Sequence, residues 1–273
     1  MEPIIPPYEP EVPQNPKRRA AVPLRVIIPN MVTLLALGAG LTAVRFAMDG
    51  KFEFASLAIL VAAVLDGLDG RIARALGGTS RFGAELDSLA DFVSFGCAPA
   101  LILYMWQLHT FKTMGWIVCL LLAFAMALRL ARFNVMIDTP ERPDWQKAFA
   151  VGVPAPSGAM MALLPLNLFL AGMPLFPGLA ALALIWVLVT TFLTISRVPT
   201  FSGKGLKTPI GRNWVIPVLI LSVVVLALLV SHPFETVSVL TFLYVAAIPV
   251  SVQRFFAELR RDEATAKAAS PAA

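Results

Sequence analysis

Eight stretches of mostly apolar residues, each near the ~20 that a helix needs to cross a bilayer, divide this chain. They lie near 28–48, 52–77, 84–107, 113–137, 154–172, 176–197, 213–231 and 234–254. A soluble core cannot absorb so many continuous apolar runs, and at 58% hydrophobic against 14% charged residues the 273-residue chain has too little polar surface to cover one. The expected fold is therefore all-α: a polytopic membrane helix bundle of about eight transmembrane helices. Gly38 and Gly40 in the first stretch and Pro165 in the fifth are compatible with that reading, because membrane helices tolerate such residues where small side chains allow close packing.

The basic residues give an independent check on the count, since lysine and arginine concentrate in cytoplasmic segments. Of the 22 lysines and arginines, only Arg45, Lys51 and Lys112 fall on one side of an eight-helix arrangement. The rest alternate onto the other side, from Lys17, Arg18, Arg19 and Arg25 at the start to Arg254, Arg260, Arg261 and Lys267 at the end. This pattern puts both termini in the cytoplasm; the expected location is a bacterial inner membrane, with the active site facing the cytoplasm. The domain expected is 28–256, flanked by a Pro-rich mobile tail at 1–27 and a second mobile tail at 257–273. The start of the chain is Pro-rich and polar, unlike a cleaved secretory signal. The net charge of +5 is read as topology rather than nucleic-acid binding, because no soluble stretch is long enough to form a basic binding domain. Cys97 and Cys119 lack metal-type spacing and read as small buried hydrophobes.

Against this background, residues 65–96, LDGLDGRIARALGGTSRFGAELDSLADFVSFG, hold four aspartates. Asp66 and Asp69 are three apart and Asp87 and Asp91 four apart, so on helices each pair shares a face. The glycine-rich GGTSRFG between them reads as a turn joining two antiparallel helices. The four carboxylates then meet at the cytoplasmic end of the pair. Carboxylates at membrane depth are functional by default, and hard oxygen ligands in such a cluster suit Mg²⁺ or Mn²⁺. Gly70 removes a side chain where a substrate approaches the helix, and Arg74, one turn on, is placed to hold a phosphate oxygen. A simpler alternative is a solvated network in which Arg71, Arg74 and Arg81 pair with the acids.

The spacing D-x2-D-G-x2-A-R-x8-G-x3-D-x3-D, filled by Asp66, Asp69, Gly70, Ala73, Arg74, Gly83, Asp87 and Asp91, resembles the signature of the CDP-alcohol phosphotransferases. The resemblance implies that an alcohol attacks the β-phosphorus of a CDP-linked lipid and expels CMP, with two divalent cations, Mg²⁺ or Mn²⁺, as cofactors. Carried over by position, it implies that Asp66, Asp69 and Asp87 bind one metal and Asp66, Asp87 and Asp91 the second. Asp91 is then also the general base. Gly70, Arg74 and Gly83 contact the CDP moiety, with Thr79 and Ser80 as neighbours. The only histidines, His109 and His232, lie at the predicted outer ends of helices, which agrees with a carboxylate base.

The acceptor is narrowed by SFGCAPA (94–100), LRLARFN (128–134), GVPAPSGA (152–159) and RVPTFSGK (197–204), which resemble the phosphatidylserine synthase branch. With PNMVTLLALGAG (29–40), the resemblance covers about 29–204. It implies CDP-diacylglycerol and L-serine as substrates and a homodimer in the bilayer. A zwitterionic acceptor needs a cation for its carboxylate and hydrogen-bonding groups nearby; Arg129, Arg132, Asn134 and Ser94 are the candidates. Positive-inside anchoring is the competing reading of the two arginines. Three other functions compete with this reading. A phosphatidylglycerophosphate synthase would use Lys204, Lys207 and Arg212 for a phosphorylated acceptor. A divalent-cation transporter would need acids continuing through the membrane core, and none do. An inactive structural subunit would have no need of a complete signature.

Overall fold

Helices dominate the computed structural model, which describes residues 24–78, 80–137, 145, 149–201 and 212–269. In chain order they are α1 (Leu24–Met48), α2 (Phe52–Ala75), α3 (Arg81–Asp91), α4 (Ala98–Trp106), α5 (Thr113–Ile137), α6 (Ala155–Ala162), α7 (Leu164–Leu170), α8 (Leu179–Ile195), α9 (Arg212–Ser231) and α10 (Pro233–Ala269). A π-helical turn, Phe92–Cys97, joins α3 to α4, so that Arg81–Trp106 forms one continuous rod. Among the described residues, five helical segments are long and apolar enough to cross a membrane: Leu24–Met48, Arg81–Trp106, Thr113–Met136, Trp214–Ser231 and Pro233–Asp262. The protein is thus an all-helical membrane protein in its main architecture.

Small residues set the closest packing. Ala36, Gly40, Ala43 and Ala47 form a buried stripe on α1, facing Ala55, Ser56, Ile59 and Ala62 of α2. Gly40 is also the seat of the rod: a Cβ there would come within 2.8 Å of the Ser94 Cα. Gly38, two residues earlier, has nothing within 4 Å. Gly40→Ala is therefore expected to destabilise the protein by about 1–3 kcal/mol through overpacking, whereas Gly38→Ala gains helix propensity. Melting midpoints of the two variants in detergent test this; equal midpoints would show that the α1 contact is not tight.

The hydrophobic core lies around α5 and the rod, with Phe95, Ile102, Leu103, Leu122, Met126, Met161 and Leu166 fully buried. The fifth apolar stretch, expected as one span over 154–172, is instead two short helices, α6 and α7, that break at Leu163. Pro165 explains the break. It lacks the N–H that would bond to the Met161 carbonyl one turn back, and the Trp186 indole of α8 donates to that oxygen at 2.6 Å. The lost backbone bond is replaced by a tertiary one that fixes α8 against α6.

Two features were not anticipated. Strands β1 (Phe149–Val151) and β2 (Pro199–Phe201) pair antiparallel, with Ala150 opposite Thr200. In addition, α10 runs to Ala269, past residue 256 where the membrane domain was expected to end. The expected N-terminal tail lies almost wholly outside the described residues, apart from the start of α1 at Leu24. Both cysteines are free thiols, Cys119 buried and Cys97 half-buried.

Candidate active site

The turn between α2 and α3 is built as the glycines require. Gly77 adopts φ +59°, the left-handed conformation that ends a helix, and the amides of Gly77 and Gly78 bond to the carbonyls of Arg74 and Ala73. Gly78 lies so close to the Arg25 carbonyl that a Cβ there would overlap it. That carbonyl is the one whose intrahelical partner Pro29 removes, so glycine closes α2 against the open end of α1. Ser80 then starts α3 as its N-cap, accepting a hydrogen bond from the Gly83 amide at 3.0 Å. This short connection makes α2 and α3 neighbours with their acidic faces together.

The result is a compact acid cluster. One carboxylate oxygen each from Asp66, Asp69 and Asp87 can be chosen so that all lie within 4.8 Å of one another. Asp91, one turn beyond Asp87, lies beside Asp66, close enough for the two carboxyl groups to interact directly. Three carboxylates at this separation repel one another unless a cation sits among them, and hard oxygen donors favour Mg²⁺ or Mn²⁺. The residues therefore fit a divalent metal centre. Of the four aspartates expected to cluster, Asp66, Asp69 and Asp87 converge, and Asp91 lies next to Asp66.

Two groups complete the surroundings. The first, Thr33 of α1, is buried and donates to the Asp69 Oδ2 at 2.7 Å; it also reaches the Pro29 carbonyl at 3.2 Å. Asp69 itself is buried, so this bond holds its carboxylate in place. Thr33→Val, which keeps the shape and removes the donor, is expected to raise the Mg²⁺ or Mn²⁺ concentration for half-maximal activity about tenfold. A metal titration of the purified variant checks this, and an unchanged midpoint would remove Thr33 from the site. The second group is Arg129 of α5, whose charge acts on both Asp91 and Asp66 and whose Nε is buried without a hydrogen-bond partner among the described residues.

The remaining expected site residues divide sharply. Arg74 folds back over Gly70, where a Cβ would lie 3.5 Å from its Nη1. Gly83 packs against Ser80 and Asn30, whose Oδ1 would be 3.0 Å from an added Cβ. Thr79 lies outside the described residues, as do Lys204 and Lys207. Arg132 points away from the acids: it donates to the carbonyls of Ile195 at 2.9 Å and Ser196 at 3.1 Å. A cation there satisfies the open C-terminus of α8 and complements its dipole. Asn134 accepts a hydrogen bond from Ser88 at 3.1 Å, joining α5 to α3. Ser94 is buried against α1 and donates to the Ala36 carbonyl at 3.3 Å. Of the four residues suggested for the acceptor, only Arg129 is directed at the aspartates.

Sequence reasoning missed Thr33 and Asn30. The signal was present: both are polar residues one turn apart in PNMVT, within a stretch, residues 26–41, that is otherwise apolar. The π-helical turn immediately after Asp91 was also unforeseen. Such turns are frequent at functional sites, and this one resets the helix register between the acidic α3 and the core-packed α4.

Comparison with known proteins bears on the same residues. The CDP-alcohol phosphatidyltransferase family matches residues 26–196, and a second family description, CDP-alcohol phosphatidyltransferase 2, matches 213–249. A protein of Mycobacterium leprae is 40% identical over 248 residues, covering 89% of this chain and 80% of its own. One from Mycobacterium tuberculosis (strain H37Rv) is 39% identical over 249 residues, covering 89% and 85%. One from Helicobacter pylori (strain 26695) is 33% identical over 223 residues, covering 80% and 87%. All three are named CDP-diacylglycerol–serine O-phosphatidyltransferase. The matched region contains α2, α3 and the whole acid cluster, and by that match the chain belongs to the CDP-alcohol phosphatidyltransferase family.

Proposed function

We propose that this protein transfers the phosphatidyl group of CDP-diacylglycerol to the hydroxyl of L-serine, giving phosphatidylserine and CMP. The observation that carries the reading is the convergence of Asp66, Asp69 and Asp87 with Asp91 beside them. The names of its relatives support the choice of serine.

In this reading Asp66, Asp69 and Asp87 hold one divalent cation, and Asp66, Asp87 and Asp91 a second. Bound Mg²⁺ or Mn²⁺ supplies Lewis acidity toward the diphosphate oxygens and stabilises the charge that grows on the CMP leaving group. Arg74, lying over Gly70, binds a phosphate oxygen, and the Gly83 corner with Ser80 and Asn30 receives the nucleotide. Asp91 accepts the proton of the serine hydroxyl as its oxygen bonds to the β-phosphorus and the P–O bond to CMP breaks. Arg129 pairs with the serine carboxylate, which holds the hydroxyl near Asp91. The pool of weaker acceptor contacts suggested by the sequence shrinks accordingly. Arg132, Asn134 and Ser94 serve helix packing in this account.

The test uses purified protein in liposomes containing CDP-diacylglycerol. CMP release is followed with and without Mg²⁺ or Mn²⁺ while L-serine, glycerol 3-phosphate and inositol phosphate are offered separately. Release that needs both serine and metal supports the proposal. Release with another acceptor keeps the phosphotransferase and removes serine, and no release with any acceptor removes both.

The same reading places eight crossings in the inner membrane, with α2, α6 together with α7, and α8 joining the five long apolar segments. Both termini and the acid cluster then face the cytoplasm, as the distribution of lysine and arginine favours. Cysteines introduced into the N-terminal segment are expected to resist an impermeant thiol reagent applied from outside, while cysteines in the 108–111 turn react.

A further inference from the structure

Two stretches, GVPAPSGA and RVPTFSGK, are brought together by the β1–β2 pairing. Gly152 bonds from its amide to the Val198 carbonyl at 2.9 Å and adopts φ +76°. A Cβ there would lie 2.8 Å from the Thr194 carbonyl oxygen, so the position admits only glycine. Thr200 is buried, and its hydroxyl donates to the Gly152 carbonyl at 2.7 Å. With its proton committed to that carbonyl, the Thr200 oxygen has only lone pairs to offer a further partner.

The last helix supplies the other half. Tyr244 of α10 places its hydroxyl beside Thr200 and Ser157, within the field of Arg129. α10 is held over this region by Phe255, which packs against Phe149 of β1 and against Trp145 at centroid distances of 5.4 Å. Among the described residues, neither the Tyr244 hydroxyl nor the Arg129 Nε makes a well-directed hydrogen bond, and both atoms are shielded from solvent. Buried polar atoms without a partner are uncommon in folded proteins, and these two lie on facing elements beside the acid cluster. α10 packs on β2 and α6, and the charge of Arg129 acts on both the Asp91 carboxylate and Tyr244.

We propose that Tyr244, Ser157 and Thr200 form the ammonium-binding side of the acceptor site, opposite Arg129, so that the site selects a small hydroxy amino acid as a zwitterion. The inference rests on the serine-transfer reading and deepens it. The acceptor's carboxylate lies on Arg129, its ammonium donates to the three hydroxyl oxygens, and its hydroxyl reaches Asp91. Ethanolamine lacks the first contact and 3-hydroxypropanoate the second.

The experiment compares the full-length wild type with Tyr244→Phe and Ser157→Ala in CDP-diacylglycerol liposomes with Mg²⁺. It measures the serine KM, the CDP-diacylglycerol KM, and inhibition of serine transfer by 3-hydroxypropanoate and by ethanolamine. Loss of a hydrogen bond to a charged group is expected to raise the serine KM about tenfold in Tyr244→Phe and to weaken ethanolamine alike. Inhibition by 3-hydroxypropanoate and the KM for CDP-diacylglycerol stay at wild-type values. A serine KM within twofold of wild type in both variants overturns the inference, as does a weakening that is equal for serine and 3-hydroxypropanoate. A wild type that transfers to a different acceptor overturns the serine reading itself, a result separable from the first because it needs no variant. Ser157→Ala, near the start of α6, keeps the test open if the α10 variant does not yield folded protein.

Discussion

Asp91→Asn is expected to lower serine-dependent CMP release by at least a hundredfold while leaving CDP-diacylglycerol binding measurable. The substitution preserves size and keeps a polar group beside Asp66, so it removes proton acceptance with little change in packing. General-base catalysis contributes about 10²–10⁴-fold, which sets the scale. No histidine competes for the role: His109 bonds to the Tyr104 carbonyl beyond the far end of the rod, and His232 lies between α9 and α10 beside Glu235. The check is turnover of the purified variant across a metal titration. Activity restored by high Mg²⁺ would identify Asp91 as a metal ligand alone, and activity within tenfold of wild type would assign the base elsewhere.

Arg129→Lys is the second large effect. Lysine keeps the positive charge beside Asp91 and Asp66, so the acid cluster remains balanced, but a single ammonium cannot reproduce the planar fork that grips a carboxylate. The serine KM is expected to rise about a hundredfold, the upper range for a lost charge-assisted bond, with a smaller change for CDP-diacylglycerol. Arg132→Lys provides the contrast. Its guanidinium serves the carbonyls of Ile195 and Ser196, so the loss is expected in the melting midpoint rather than in the serine KM. If the two variants behaved alike in the kinetics, the division of labour drawn from the structure would be wrong.

These two arginines also show where reading the chain reached its limit. They lie three residues apart on one helix, which places them on a common face, and both fall in a stretch similar to the serine-using branch. Helical periodicity fixes a direction only to within a broad sector. Whether a guanidinium in that sector meets an aspartate or the end of another helix depends on how α2, α3 and α8 pack around α5. Ser94 is a similar case: a hydroxyl near the acids in sequence, it lies against Gly40 and the Ala36 carbonyl because the π-helical turn shifts the register after Asp91.

The acid cluster was legible because every constraint on it is local. Spacings of three and four put each pair of aspartates on one face, and the glycine turn brings the two faces toward each other. The membrane-spanning character was legible for a similar reason, since apolar runs of bilayer length need no partner to declare themselves. The break at Leu163 was half visible in Pro165, but the Trp186 indole that compensates for it comes from another helix.

By itself, then, the sequence determined a membrane-embedded helical chain with four aspartates gathered at one helix pair, because those properties follow from hydropathy and spacing along a single strand of backbone. Only the tertiary structure decided that Thr33 orients Asp69, that Arg129 rather than Arg132 faces the acids, and that Tyr244 of the last helix meets Ser157 and Thr200. Each of those contacts joins elements distant in sequence, and its existence depends on the distance and rotation between them, which no periodicity within one element encodes.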